Sequence, residues 1–163
     1  MLQLKKISKE SIPEALEKAE RYRLLNEPSL AESICSDILE VDPQNSKAII
    51  VSLLAITDQF GTSMEQVGKA KQLLSQLSGE YEQQYYAGII CERQARSIHT
   101  MNRANTYIVY DWLHDAMQHY EKAEAVRPSG NDDAILRWNT CARLMMRYHL
   151  EPRKEEYVEP PLE

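Results

Sequence analysis

One spacing of small and bulky residues occurs twice in the chain and limits the folds that it can adopt. The first copy is Ala31, Cys35, Ile38 and Pro43, and the second copy is Ala116, Tyr120, Ala123 and Pro128. Both copies run 4, 3 and then 5 residues. Steps of three and four residues place side chains on one face of an α-helix, and a proline after them ends the helix. The chain therefore contains at least two helices of one design.

The residues before the first copy predict that its helix has a partner. Apolar residues recur at helical steps from about residue 11 to residue 26, and Pro28 then interrupts the pattern. Because proline disfavours helix at the residue before it but fits a first helical turn, a second helix should begin there and run to about Val41. The two helices form a hairpin of roughly 34 residues, a length at which repeat architectures are suspected.

This hairpin resembles a tetratricopeptide repeat. The resemblance rests on Ala19 and Tyr22 in the first helix, on the residues of the first copy above, and on the closing run 38–45. Cys35 stands where the family usually has an aromatic residue, and Ala15 where it often has tryptophan. The resemblance implies a right-handed solenoid of antiparallel helical hairpins. It assigns repeat packing to Ala19, Tyr22, Ala31, Cys35, Pro43, Gly88, Ala116, Tyr120, Ala123 and Pro128.

Periodicity and composition extend this interpretation to one all-α domain of about seven helices over residues 1–150. The chain has only 5 glycines and 1 phenylalanine but many good helix formers. The predicted segments are hairpins at about 11–43, 46–78 and 80–128, a capping helix at 132–150, and a flexible tail rich in proline and acids at 151–163. An insertion in the third hairpin, from Arg96 to Tyr107, is either extra helix or a loop.

Charge and cysteine usage exclude several classes of partner. The formal net charge is -6 and the basic residues are interleaved with acids, so nucleic acid is not an expected partner. No apolar run approaches the ~20 residues of a membrane span. Three widely spaced cysteines and four histidines without metal-ligand spacing predict a cytoplasmic protein with no metal and no cofactor.

No motif of an enzyme is present, and we expect the protein not to be one. There is no glycine-rich phosphate loop, no Gly-x-Ser-x-Gly and no His-Glu-x-x-His. Asp111, His114 and Asp115 lie on one helical turn, which is typical of a solvated face. A catalytic site in the region 96–120, which is also rich in aromatic residues, is the weakest alternative.

The resemblance implies that the chain binds a peptide or partner protein in a concave groove lined by the first helices of its hairpins. The residues predicted to line that groove are Ile50, Leu54, Tyr85, Glu92, Arg93 and Asn139. Ile50 and Leu54 have a second interpretation as core between repeats. Arg93, Arg96 and Arg103 either recognise an acidic partner or form a solvated helix face. Two further alternatives are a homodimer and a non-catalytic subunit docked permanently in a larger assembly.

Overall fold

The protein is built from helices that follow one another closely. The computed structural model describes residues 1–155, and in that range it has seven α-helices and no β-strand. The helices are α1 (Ile12–Leu24), α2 (Pro28–Val41), α3 (Ser46–Thr57), α4 (Glu65–Leu74), α5 (Glu80–Met101), α6 (Thr106–Ala125) and α7 (Asp133–Tyr148). The predicted all-α class is confirmed. None of these helices has both the length and the apolar character that a bilayer crossing requires.

Each helix packs against the next one in the chain, from α1 to α7. In addition, α1 contacts α3, and α3 contacts α5. The turns between helices are short and follow local chemistry. Pro28 opens α2 in its first turn, and the side chain of Asn45 caps α3 by accepting a hydrogen bond of 3.0 Å from the backbone N–H of Ala48.

The insertion that the sequence left open as helix or loop is mostly helix. Helix α5 continues to Met101, residues 102–105 form a turn, and α6 begins at Thr106. These two helices have 22 and 20 residues, against 10 to 16 for the others. The insertion therefore lengthens both helices of the third pair and extends them beyond the end of α3.

The helix pairs approach most closely where small side chains meet. Ala19, Ala31 and Cys35 are all fully buried in one cluster with residues of α3. In the third pair, Gly88 lies against the ring of Tyr120, and a Cβ atom at Gly88 would be only 2.4 Å from Tyr120 Cε1. The absence of a side chain at Gly88 is what lets α5 and α6 pack around this ring.

The other residues assigned to repeat packing differ in burial. Ala116, Tyr120 and Ala123 are fully buried. Pro43 and Pro128 lie at the surface just beyond α2 and α6.

Tyr22 is more exposed than the alanines assigned to the same contact, at 37% of its surface. It follows Ala19 by three residues, which places it to one side of the helix face that Ala19 centres on.

Helix α7 packs on α6 and ends with a left-handed residue. His149 has φ 51°, and the N–H of Leu150 then donates a 3.0 Å hydrogen bond to the carbonyl of Met145. This arrangement is a common helix end, in which the reversed chain returns an apolar side chain to the core, and Leu150 is buried. Residues 151–155 have no regular structure. The rest of the predicted tail, 156–163, lies outside the described residues.

All three cysteines lie within helices as buried thiols. Burial raises the pKa of Cys35 to about 12, of Cys91 to about 11 and of Cys141 to about 12. Unfolded thiols ionise first as the pH rises past their ordinary value of 9.0. The buried, protonated thiols therefore make their full contribution to the free energy of unfolding below that pH, and this contribution is lost as the pH rises above it.

We expect the free energy of unfolding to fall above pH 9.0, by at most about 1.4 kcal/mol per thiol per pH unit. Urea titrations at about pH 8 and about pH 10 measure the loss. A Cys141→Ala variant should lose less over the same interval, and an equal loss in both proteins would contradict this account.

Candidate functional site

A carboxylate at the end of α3 joins three helices. Asp58 lies between Arg23 of α1 and Arg93 of α5. Its Oδ2 is 2.7 Å from Arg23 Nε, and its Oδ1 accepts a 3.2 Å hydrogen bond from Arg93 Nη1. The Asp58 side chain is 18% exposed, so the two guanidinium groups shield it from water. Burial lowers the pKa of Arg93, and the charge of Asp58 opposes that shift.

A second carboxylate is enclosed between α5, α6 and α7. The side chain of Glu92 is 0% exposed. It accepts a 2.7 Å hydrogen bond from the hydroxyl of Tyr120, and its Oε1 lies 3.1 Å from Arg96 Nη2 and 3.2 Å from Arg137 Nη1. A buried carboxylate requires such partners, because an unpaired charge in the interior is costly.

The environment of Glu92 sets the protonation of its neighbours. Burial, and then the negative charge of Glu92, raises the pKa of the Tyr120 hydroxyl, which therefore stays a hydrogen-bond donor. Burial by itself would lower the pKa of Arg137, but the carboxylate of Glu92 raises it above its ordinary value. The cluster is thus a fixed anion that holds two cations and a neutral phenol.

These ion pairs border an open cleft of about 590 Å³ between α1, α3 and α5. We call it the arginine cleft. Its lining residues are Arg23, Leu24, Asn26, Thr57, Asp58, Phe60, Arg93, Arg96, Ser97, Thr100 and Met101. The last four residues belong to the C-terminal part of α5, most of which comes from the insertion. The added turns of α5 therefore form one wall of the cleft.

Positive charge exceeds negative charge at the arginine cleft. Arg23 and Arg93 share Asp58, while Arg96 and Arg137 share Glu92. Of these residues, Arg23, Arg93, Arg96 and Asp58 line the cleft, whereas Glu92 and Arg137 lie outside its lining. The local excess of two positive charges stands on a chain whose net charge is -6, so it is opposite in sign to the molecule as a whole.

The six residues predicted to bind a partner have different positions. Leu54 is partly buried and packs against two core clusters, and the Tyr85 ring centroid is 5.9 Å from that of Tyr120. Neither residue lines the arginine cleft. Glu92 has no surface to offer a partner and acts by holding Arg96 and Arg137. Arg93 lines the cleft.

The remaining two are partly buried: Ile50 on α3 and Asn139 on α7, neither of which lines the cleft.

Sequence reasoning missed Arg23 and Asp58, although a signal for them exists. Arg23, Asp58 and Arg93 follow one another at intervals of 35 residues. That interval is close to the roughly 34 residues of the hairpin predicted from the sequence, and the three residues stand at similar distances from the first residues of α1, α3 and α5. A pattern of charged residues that alternate in sign at intervals of one hairpin length would have predicted that Arg23, Asp58 and Arg93 contact one another.

No candidate metal site accompanies the cleft in the part of the chain that the structure describes. Residues 1–155 contain no group of three His, Cys, Asp or Glu side chains placed to hold a metal ion. His114 and Asp115, considered above as polar groups on one turn of α6, are exposed.

Comparison with known proteins adds no homologue to this description. The chain matches no family model, no curated protein and no solved structure.

Proposed function

We propose that this protein is an interaction module that binds an acidic segment of a partner protein in the arginine cleft. The observation that carries the proposal is the excess of two positive charges in an open cleft of about 590 Å³. Guanidinium groups bind carboxylates in a planar, two-point geometry, and an arginine already fixed by an internal carboxylate loses little freedom on binding.

We further propose that the helices stack as in tetratricopeptide repeats. Helices α1, α3 and α5 are the first members of successive hairpins, and each contacts the next. Arg23 and Arg93 are each 35 residues from Asp58, which is the interval that equivalent repeats would produce. In such a stack the first helices line one side, which is where the family resemblance places a partner.

The cleft also offers apolar surface beside its charges. Leu24 is 84% exposed and Met101 is 47% exposed, and both border the cleft. Phe60 adds an aromatic ring that is partly buried. A partner segment that pairs its carboxylates with the arginines could therefore also cover these side chains, which is the usual anatomy of a binding surface.

Replacing Arg93 and Arg96 together by glutamine tests the proposal. Short random peptides displayed on phage are first selected on the immobilised wild-type protein, and we expect the retained peptides to be rich in Asp and Glu. The affinity of a retained peptide, measured by fluorescence anisotropy, should then fall at least about tenfold in the double variant. Binding should also weaken with added salt.

The matched control is the double variant Arg143→Gln and Arg147→Gln, which removes the same charge from exposed positions on α7. Its affinity should stay within about twofold of the wild type. Circular dichroism checks that both variants keep their helices. If no peptide is retained, or if the two variants bind equally well, the proposal is wrong.

Exposed leucines favour self-association, or permanent docking in an assembly, as the second candidate function. Leu24, Leu25 and Leu30, around the turn between α1 and α2, are 84%, 64% and 46% exposed. Sedimentation equilibrium, which measures the oligomeric state, distinguishes self-association from the binding of an acidic segment of a different protein. A second copy bound in the arginine cleft would give a dimer that the Arg93→Gln and Arg96→Gln variant loses.

A further inference from the structure

A smaller cavity adjoins the arginine cleft between α5, α6 and α7. Its volume is about 140 Å³, close to the ~150 Å³ of cavities that hold a benzene-sized guest. We call it the apolar pocket. Its walls are Ala95, Arg96, His99, Thr100, Val109, Leu113, Leu144 and Tyr148. Four of these eight residues are aliphatic and a fifth is Tyr148, so the pocket suits an uncharged, apolar group.

The pocket and the cleft share one wall. Arg96 and Thr100 line both of them. They are four residues apart on α5, so they lie on one face of that helix. A chain that runs along the cleft therefore passes two residues that also line the pocket.

Contacts with neighbouring side chains hold the residues of the shared wall in place. The guanidinium group of Arg96 is fixed by Glu92, which is itself hydrogen-bonded by Tyr120. The His99 ring lies against the Tyr148 ring, with 4.1 Å between the ring centroids. Both contacts reduce the side-chain freedom that binding would otherwise remove.

We infer that the apolar pocket takes one leucine- or phenylalanine-sized side chain of the acidic segment bound in the arginine cleft. This inference rests on the proposed function and narrows its partner. The partner is a protein segment in which carboxylates stand beside a single bulky apolar residue. The carboxylates meet the cleft arginines, and the apolar residue fills the pocket beside Arg96 and Thr100.

The peptides selected on the wild-type protein test this directly. We expect them to carry a Leu, Ile, Met or Phe at a constant distance from their acidic residues. Replacing that residue by alanine in the peptide should weaken binding at least about tenfold, which is the value of burying a large aliphatic side chain. Acidic peptides without such a residue would overturn the pocket inference and leave the proposed function standing. Failure to retain any peptide would overturn both.

A second experiment fills the apolar pocket by enlarging side chains of the protein that line it. Leu144→Phe and, separately, Ala95→Leu add atoms to two different walls, so one of them can fail to fold without ending the test. In a folded variant, the leucine and alanine forms of the peptide should bind with affinities within about twofold of each other, because no space is left for the leucine. A full tenfold difference in the variant would contradict the inference.

Methyl NMR signals of Leu113 and Leu144 identify what occupies the pocket. They should shift on adding the leucine peptide and stay in place with the alanine peptide. If they shift instead when residues 151–163 are deleted in the absence of peptide, the chain's own tail occupies the pocket and the inference is wrong. If they shift with protein concentration alone, a second copy occupies it, and the inference is equally wrong.

Discussion

Gly88→Ala should lower the free energy of unfolding by about 2 kcal/mol, although alanine is the better helix former. The added Cβ would lie 2.4, 2.7 and 2.9 Å from three ring atoms of Tyr120. The ring cannot move away easily, because it is fully buried and its hydroxyl is bound to Glu92. Because three ring atoms would lie closer than 3 Å to the new Cβ, the upper end of the about 1–3 kcal/mol cost of overpacking applies, and the gain of about 1 kcal/mol in helix propensity offsets only part of it. Urea unfolding measures the difference.

Gly68→Ala is the matched control, because it makes the same chemical change inside α4. A Cβ at Gly68 would meet no atom within 4 Å. Only the propensity gain remains there, and the variant should be more stable than the wild type by about 0.5–1 kcal/mol. The two substitutions therefore have opposite signs. A stabilising Gly88→Ala would show that α5 and α6 are not packed as closely as described.

Glu92→Gln should lower the free energy of unfolding by about 3 kcal/mol, the larger of the two effects. The substitution keeps the shape of the side chain but removes the charge that holds Arg96 and Arg137. Breaking a buried ion pair from one side costs about 3–5 kcal/mol. The lower end applies because Arg96 and Arg137 are 47% and 33% exposed and can recover part of their hydration.

Glu124→Gln on α6 gives the comparison for that measurement. Glu124 makes a surface ion pair with Arg127 at 3.5 Å, and its side chain is 42% exposed. Surface pairs contribute about 0–1 kcal/mol, so this variant should unfold close to the wild type. Similar losses from Glu92→Gln and Glu124→Gln would mean that the cluster around Glu92 does not join α5, α6 and α7.

The same variant relates stability to the candidate site. Glu92 does not line the arginine cleft, but it positions Arg96, which lines both the cleft and the apolar pocket. Its role is thus positioning and not contact with a partner. The sequence analysis predicted that both Glu92 and Arg93 line the groove. A neighbour in sequence on a helix points about 100° away, and here that angle separates the interior from the cleft.

Much of the local structure could be predicted from the sequence. Three- and four-residue periodicity located the helices, and Pro28 marked the start of α2 where the structure has it. The small residues Ala19, Ala31 and Gly88 were recognised as positions of close helix contact, and they are buried. These properties depend on residues near one another in the chain, which is why patterns along the sequence contain them.

Other features depend on contacts between segments that are far apart in the sequence. The insertion Arg96 to Tyr107 could not be assigned as helix or loop, because its own pattern is weak and its helical parts are supported by packing between α5 and α6. The cleft required Arg23 and Arg93 to reach Asp58, each across 35 residues. The pocket required walls from three helices. The sequence by itself determined that the chain forms helices that pair through small residues, because helix formation is local. The tertiary structure decided where charge and free volume coincide, because those depend on which helix faces remain uncovered after packing.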